Sequence, residues 1–379
     1  MQGLSDKTSL VFLSMRLYDI RMDNSVLLFS ELTPDLILEA AEKFTGSHFD
    51  GTIFPYNSYV NRVFGITDDD DNDFVIKFYR PGRWTVDSIL DEHCFLLDCA
   101  ESEVPVVSPL RYSGTADVSV STTLGQISGL YFALFPRLRA RTFDIYNDDD
   151  WIRTGRAVGR MHLAAEKRIS LNRLQCSPQQ TTENYIRLML REKLVTPELV
   201  RSFTEVCDRA LDYIEDEYTS LFGEPDENGL YHTPLFHRIH GDCHRGNILE
   251  QFLSSSENSI ITLIDFDDMM TGPAIQDLWL LLPGLRADSM RELNLLLEGY
   301  TEFAGDSAEI EIRRQIRLIE PLRFMRNIYF LAWTGIQHKD TGFLARNPGW
   351  GTKAFWEREI ESLNTQLEVL KEEYDTQIT

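Results

Sequence analysis

Two short apolar runs, each ending in a polar loop, constrain this chain more than any other feature. Leu235 to Ile239 leads into His240-Gly-Asp-Cys-His-Arg-Gly-Asn247, and Ile260 to Ile264 leads into Asp265-Phe-Asp-Asp268. Runs of this length bounded by turn-forming residues read as strands rather than helices. Between them lies the turn-like Ser254-Ser-Ser-Glu-Asn258. Two strands joined in this way would set the first loop and Asp265 side by side. Asp242, Asn247 and Asp265 would then share one small region.

That grouping suits phosphoryl transfer. The reaction depends mainly on positioning and on neutralising phosphate charge. Mg²⁺ is a hard cation that takes oxygen ligands, often only one or two from the protein. Asp242 is the candidate to receive or orient a proton of an attacking hydroxyl. Asn247 and Asp265 are the candidate metal ligands, and Asp265 thereby has a catalytic role as well. The pattern H-x-D-x-x-x-x-N followed by a strand-end Asp is a kinase catalytic and metal set. An acidic turn beside a hairpin is the plain alternative, and in a chain with 60 Asp and Glu one acidic match is cheap. The compound pattern with its strand context is not.

Composition excludes several classes. With 37 Lys and Arg against those 60 acids, the formal net charge is −23. Nonspecific nucleic-acid binding needs basic side chains to neutralise phosphates, so it is not expected. No apolar run approaches a membrane span of about 18 residues, and the start of the chain makes a poor signal peptide. The expectation is a cytoplasmic protein without membrane or nucleic-acid partners, acting as a monomer. The five cysteines are scattered without a C-x-x-C pair, which argues against a disulfide framework or zinc site. Cys243 follows the candidate base directly and reads either as a small buried residue or as a redox-sensitive thiol.

Along the chain, Thr33 and Pro34 mark a helix start and Gly46 a stop. Strand-like runs follow at Ser58 to Ile66 and Phe74 to Tyr79, with the acidic Thr67 to Asp73 between them as a solvated hairpin turn. Lys77 lies on the second run. It is either a solvent-facing strand lysine or a phosphate-gripping one, in which case Glu92, on the helical stretch Val86 to Ala100, is its natural ion-pair partner. Leu130 to Leu134 reads as another strand. Beyond Phe135-Pro-Arg-Leu138 the pattern becomes mainly helical, including one long helix from Ile310 to Ile336. His162 reads as a satisfied core histidine. Asp277 is either an acid favoured near a helix N-terminus or a group that holds the catalytic loop by its backbone. These features give an α+β, bilobal reading: an extension over residues 1–29, a small β-rich lobe over 30–138, and a larger, mainly helical lobe over 139–379.

At these residues the chain resembles the aminoglycoside phosphotransferase and choline kinase-like enzymes, relatives of protein kinases, and within them the bacterial stress response kinases. The blocks carrying the resemblance are Asn57 to Val63, Val75 to Trp84, Gly159-Arg-Met-His162, Ile239 to Leu249, Gly272-Pro-Ala-Ile-Gln-Asp-Leu-Trp279 and Ile319-Glu-Pro-Leu-Arg323. The resemblance implies a protein-kinase-like fold and Mg²⁺- and ATP-dependent phosphorylation of Ser and Thr in proteins, with the chain itself a candidate substrate, in stress tolerance. It implies that Asp242 accepts the proton and that Asn247 and Asp265 hold Mg²⁺. It also implies that Ser58 and Lys77 contact ATP, with Phe135 and Leu138 at the hinge near adenine. The loop from Asn57 to Val63 contains no glycine, and the metal motif is Asp-Phe-Asp-Asp rather than Asp-Phe-Gly. A kinase for a small hydroxylated molecule, such as an amino alcohol or aminoglycoside, would use the same three residues. A catalytically inactive ATP-binding scaffold is the third reading. The family-like start near Met22 makes residues 1–21 an expected extension, or the product of an upstream start codon.

Overall fold

The first helix, α1 (Pro34–Thr45), begins and ends where the sequence indicates. The Thr33 side chain accepts the Leu36 N–H, Pro34 occupies the first turn, and Gly46, at φ 80°, closes the helix with its N–H on the Glu42 carbonyl. The computed structural model describes residues 29–58, 60–115, 117–252, 259–303, 305–338 and 343–378. The expected extension and the turn at 254–258 lie outside the described residues, apart from Phe29 of the former.

The described residues up to Asp87, with Leu110–Arg137, form one unit. It is built on five strands, β1 (Phe49–Pro55), β2 (Arg62–Asp68), β3 (Asp73–Phe78), β4 (Gly125–Ile127) and β5 (Leu130–Pro136), in the order β1-β2-β3-β5-β4. All neighbours are antiparallel. The β2–β3 turn is the acidic segment. There the Asp68 carboxylate accepts the backbone N–H groups of Asp70 and Asn72 and the Asn72 amide, so the charge block is a self-satisfied hairpin turn. α1 lies on the sheet through Phe44, whose ring meets Tyr112 and Phe132 edge-on at 5.4 and 5.6 Å. Full burial of a side chain of this kind contributes about 1.5–3 kcal/mol. Strands β1 and β4 have no counterpart in the sequence reading.

Ser88–Pro109 and the residues from Leu138 on form the second unit. The segment 88–109 thus groups with the helical part of the chain, whereas the sequence reading assigned it to the β-rich lobe. This unit contains α2 (Val86–Glu101, from Ser88 on), β6 (Arg141–Thr142), α3 (Asp148–Ala165), α4 (Asn184–Arg191), α5 (Val200–Phe222), β7 (Phe236–Ile239), β8 (Ile248–Phe252) and β9 (Ser259–Leu263). There follow β10 (Met270–Pro273), α6 (Ile275–Trp279), α7 (Met290–Thr301), α8 (Gly305–Gln315), α9 (Ile319–Gln337), α10 (Phe343–Arg346) and α11 (Lys353–Ile378). Where one helix was expected from Ile310 to Ile336, a 3-10 turn at Ile316–Leu318 separates α8 from α9. The chain is an α+β protein with a β-sheet N-terminal region and a helical C-terminal region. Among the described residues no helix is long and apolar enough to cross a membrane.

The strand pairing around the two signature loops differs from the expectation. β7 pairs with β10, and β9 pairs with β8, so the two apolar runs are not partners. The missed strand β8 begins immediately after Asn247 and takes the place the sequence reading gave to β7. Each loop is therefore held by its own ribbon.

Candidate active site

Glycine lets the first loop approach the second. Gly241 has φ 80°, a conformation that L side chains rarely adopt, and a Cβ there would lie 2.1 Å from the Asp268 carbonyl oxygen. Only glycine fits that contact. The loops are then tied twice at the strand ends. The Ile264 N–H donates to the Asn247 carbonyl at 3.0 Å, and the His240 ring meets the Ile264 carbonyl through Nε2 at 2.8 Å. His240 Nδ1 accepts the Asp242 N–H at 3.3 Å, so the ring proton resides on Nε2 and donates to Ile264. Asp242, Asn247 and Asp265 are thereby brought together, though not by the pairing that first suggested it.

Each of the three has a distinct setting. Asp242 is half-buried, and its Oδ1 accepts from Arg326 Nη2 at 2.5 Å. Asn247 donates its amide nitrogen to the Asp242 carbonyl at 2.9 Å. A carbonyl can only accept, so the amide orientation is fixed and Oδ1 is the atom a cation could use. Asp265 is exposed and left-handed, with φ 61° and ψ 65°. Asp tolerates this region better than most residues, but such backbone is uncommon outside glycine and is found where function demands it. Among the described residues no three His, Cys, Asp or Glu gather as a cage for a metal. One carboxylate and one amide oxygen fit a cation held largely by phosphates and water.

A buried relay supports the loop from behind. Asp277, at 0% exposure, accepts the His240 N–H at 2.7 Å and the Gly241 N–H at 2.9 Å. Both of its sequence readings hold: Asp277 lies in the first turn of α6 and also holds the loop by its backbone. His162 Nε2 donates to the same carboxylate at 2.9 Å, and its Nδ1 meets the Tyr300 hydroxyl at 2.9 Å. His162 is thus a satisfied core histidine that also holds Asp277 in place. Tyr300 reaches it because α3 and α7 touch backbone to backbone. A Cβ at Gly155 or Gly159 would fall 1.9 Å from the Leu296 carbonyl or 2.4 Å from that of Tyr300. Burial pushes the Tyr300 phenol well above its ordinary value, so it stays protonated and can donate to Nδ1.

A second brace concerns Glu92. Its carboxylate accepts from Arg173 Nη2 at 3.1 Å, and both side chains are essentially inaccessible. Arg173 also donates Nη1 to the Asp267 carbonyl at 2.6 Å and Nε to the Ser88 carbonyl at 2.8 Å. Glu92 is therefore linked through one guanidinium to the loop that carries Asp265. The sequence reading looked only to Lys77 as the partner of Glu92.

In the first unit Lys77 is buried at 8% exposure, with Nζ 4.7 Å from the centroid of the Tyr79 ring. It is not a solvent-facing lysine. It lies opposite Val63 on β2 and Ala133 on β5. Phe135, half-buried, stands two residues farther along β5, and Ser58 is half-buried in the loop before β2. Leu138, half-buried, opens the second segment of the second unit.

Cys243 is fully buried, and burial beside Asp277 and Asp242 pushes its thiol well above the usual range. A buried, protonated thiol is a poor nucleophile. Iodoacetamide at neutral pH is expected to leave Cys243 unmodified in the folded protein and to label it after denaturation; rapid native-state labelling, read by peptide mass, would contradict the buried placement.

The phosphotransferase enzyme family model matches residues 53–313, which include Lys77, Glu92, Asp242, Asn247, Asp265 and Asp277 but not Arg326. The chain belongs to the phosphotransferase enzyme family. As a family member it is a kinase that transfers phosphate to a hydroxyl acceptor. Stress response kinase A of Escherichia coli K12 is 36% identical over 352 residues, covering 93% of this chain and 97% of that protein. The serine/threonine protein kinase RdoA of Salmonella typhimurium is 33% identical over 359 residues, with the same shares covered. Among solved structures, a microcompartment-associated aminopropanol kinase superposes with a TM-score of 0.63 at 16% identity, covering 91% of this chain and 98% of that one. An amicoumacin kinase, in complex with AMP-PNP, Ca²⁺ and Ami, gives 0.60 at 16%, covering 88% and 93%. These two show that the fold is that of the phosphotransferases.

Arg173, Tyr300, Arg326 and Tyr329 escaped the sequence reading. Arg323 and Arg326 sit three apart on the largely apolar helical run Leu322-Arg-Phe-Met-Arg-Asn-Ile328, and that spacing was the available signal.

Proposed function

We propose that this chain is an ATP- and Mg²⁺-dependent Ser/Thr protein kinase of the bacterial stress response, working in the cytoplasm. The observation carrying this reading is its near full-length similarity, above 30% identity, to proteins named as a stress response kinase and a serine/threonine protein kinase. The small-molecule kinases that share its fold do so at 16% identity.

In this mechanism the acceptor hydroxyl lies against Asp242, which orients it and takes its proton as the bond to phosphorus forms. Asn247 Oδ1 and the Asp265 carboxylate would hold Mg²⁺, which would supply neutralisation of the phosphate charge. Lys77 contacts the phosphates. Ser58 meets the nucleotide, and Phe135 and Leu138 flank the adenine. Asp277 and Arg173 position the two loops without touching substrate.

The test is phosphate transfer from labelled ATP and Mg²⁺ to the protein itself, to a generic Ser/Thr-rich protein, and to a panel of amino alcohols and aminoglycosides. Label on protein Ser or Thr supports the proposal, and label confined to a small molecule overturns it. Asp265→Ala is expected to abolish most of the rise in melting temperature that Mg·ATP gives the wild type, while the unliganded protein melts normally. An undiminished shift would remove Asp265 from the metal site.

A further inference from the structure

The Arg326 guanidinium is the residue nearest the chemistry that no family motif or relative's name accounts for. Its Nη2 lies 2.5 Å from Asp242 Oδ1. The other carboxylate oxygen, Oδ2, lies 3.7 Å from His244 Nε2, beyond hydrogen-bond length. Rotation about χ2 of an aspartate is intrinsically soft, so an unheld carboxylate would present its oxygens in many directions. A charge-assisted bond to one oxygen removes that freedom and turns the other toward a fixed point.

The guanidinium is itself held. It sits 5.8 Å from the Tyr329 ring centroid, and the Tyr329 hydroxyl donates to Asp268 Oδ1 at 2.7 Å, three residues from Asp265. One turn back on α9, Arg323 donates to the Gly284 carbonyl and stacks on Trp279 of α6, the helix that carries Asp277. The helix presenting Arg326 is therefore fixed to the helix that holds the catalytic loop. Arg326, Tyr329, Asp268, Gly241 and Met325 line one small recess beside the clamp.

We propose that Arg326 is a positioning residue for the acceptor: it clamps Asp242 Oδ1 so that the attacking hydroxyl is received at Oδ2. This rests on the assignment of Asp242 as proton acceptor, and it holds for any hydroxyl acceptor, protein or small molecule. The hydroxyl proton passes to Oδ2 as the oxygen bonds to the γ-phosphorus and the β–γ bridging oxygen leaves with ADP. Arg326 keeps its proton throughout.

The experiment compares wild type with Arg326→Ala, Arg326→Lys and Asp242→Asn. Readouts are label transfer to whichever of a Ser/Thr-rich protein, glycerol or ethanolamine the wild type phosphorylates, phosphate release to water without acceptor, and the melting shift with Mg·ATP. Both Arg326 variants are expected to lower transfer kcat by about 100-fold, the cost of a misplaced reacting group. KM for ATP and the Mg·ATP shift should stay unchanged. Hydrolysis should fall far less than transfer, because water makes no comparable orientational demand, so the ratio of hydrolysis to transfer rises. An unchanged ratio with wild-type transfer overturns the proposal, as does a fall in transfer matched by an equal fall in hydrolysis. If the alanine variant fails to fold, the lysine variant, which keeps the charge but not the planar fork, carries the same comparison. Full turnover in Asp242→Asn would instead overturn the base assignment on which the clamp depends.

Discussion

Asp242→Asn is expected to lower kcat for phosphate transfer by roughly 10²–10⁴, the usual contribution of a positioned general base, and to leave KM for ATP within a few-fold of the wild type. The substitution is close to isosteric. An amide at this position still offers an oxygen to Arg326 Nη2, and the backbone carbonyl that receives the Asn247 amide is untouched. The backbone N–H of residue 242 still donates to His240 Nδ1. What disappears is an oxygen able to take a proton. Steady-state kinetics with varied ATP and varied acceptor separate the two effects. A loss carried by KM for ATP, with kcat preserved, would mean that Asp242 serves nucleotide binding instead.

Much of this site was legible because its chemistry restricts residue type. The proposed roles of proton acceptor, amide-oxygen ligand and metal-facing carboxylate leave few substitutes, so Asp242, Asn247 and Asp265 announce themselves in a linear pattern. Their ribbons did not. Strand partners are chosen by tertiary packing, and β8 was read as part of a connecting segment although Ile248-Leu-Glu-Gln-Phe252 alternates between buried and less buried positions. The break between α8 and α9 does have a local mark: Pro321, in the first turn of α9, has no N–H for the Arg317 carbonyl and disfavours a helix running continuously through Ile316–Leu318. Asp277 could be suspected from Gly272-Pro-Ala-Ile-Gln-Asp277, but Arg173 could not. A guanidinium that joins Glu92 to the Asp267 carbonyl across intervals of more than 80 residues leaves no trace at short range. Positioning residues act through geometry, and geometry is the part a sequence reading sees least.

The largest stability effect should come from Asp277. The Asp277→Ala variant would strip three donors of their acceptor at once: the His240 and Gly241 N–H groups and His162 Nε2. All sit where water does not reach, and the Asp277 side chain itself has no exposed surface. Removing one partner from a buried charged network typically costs about 3–5 kcal/mol, because the remaining groups are left desolvated and unmatched. For a domain of this size that corresponds to a fall in melting temperature on the order of 10 °C. Activity should fall further than the folded fraction does, since the two freed N–H groups fix the backbone immediately before Asp242. Assay below the variant's melting transition, with the folded fraction measured by circular dichroism, separates the two losses. Asp277→Asn is the informative companion: it keeps an acceptor for one or two of the donors but places an amide N–H against another, and should fall between alanine and wild type. Stability equal to wild type in both variants would mean that the loop is held by the β7–β10 ribbon and Gly241 alone, with Asp277 contributing nothing measurable to its position.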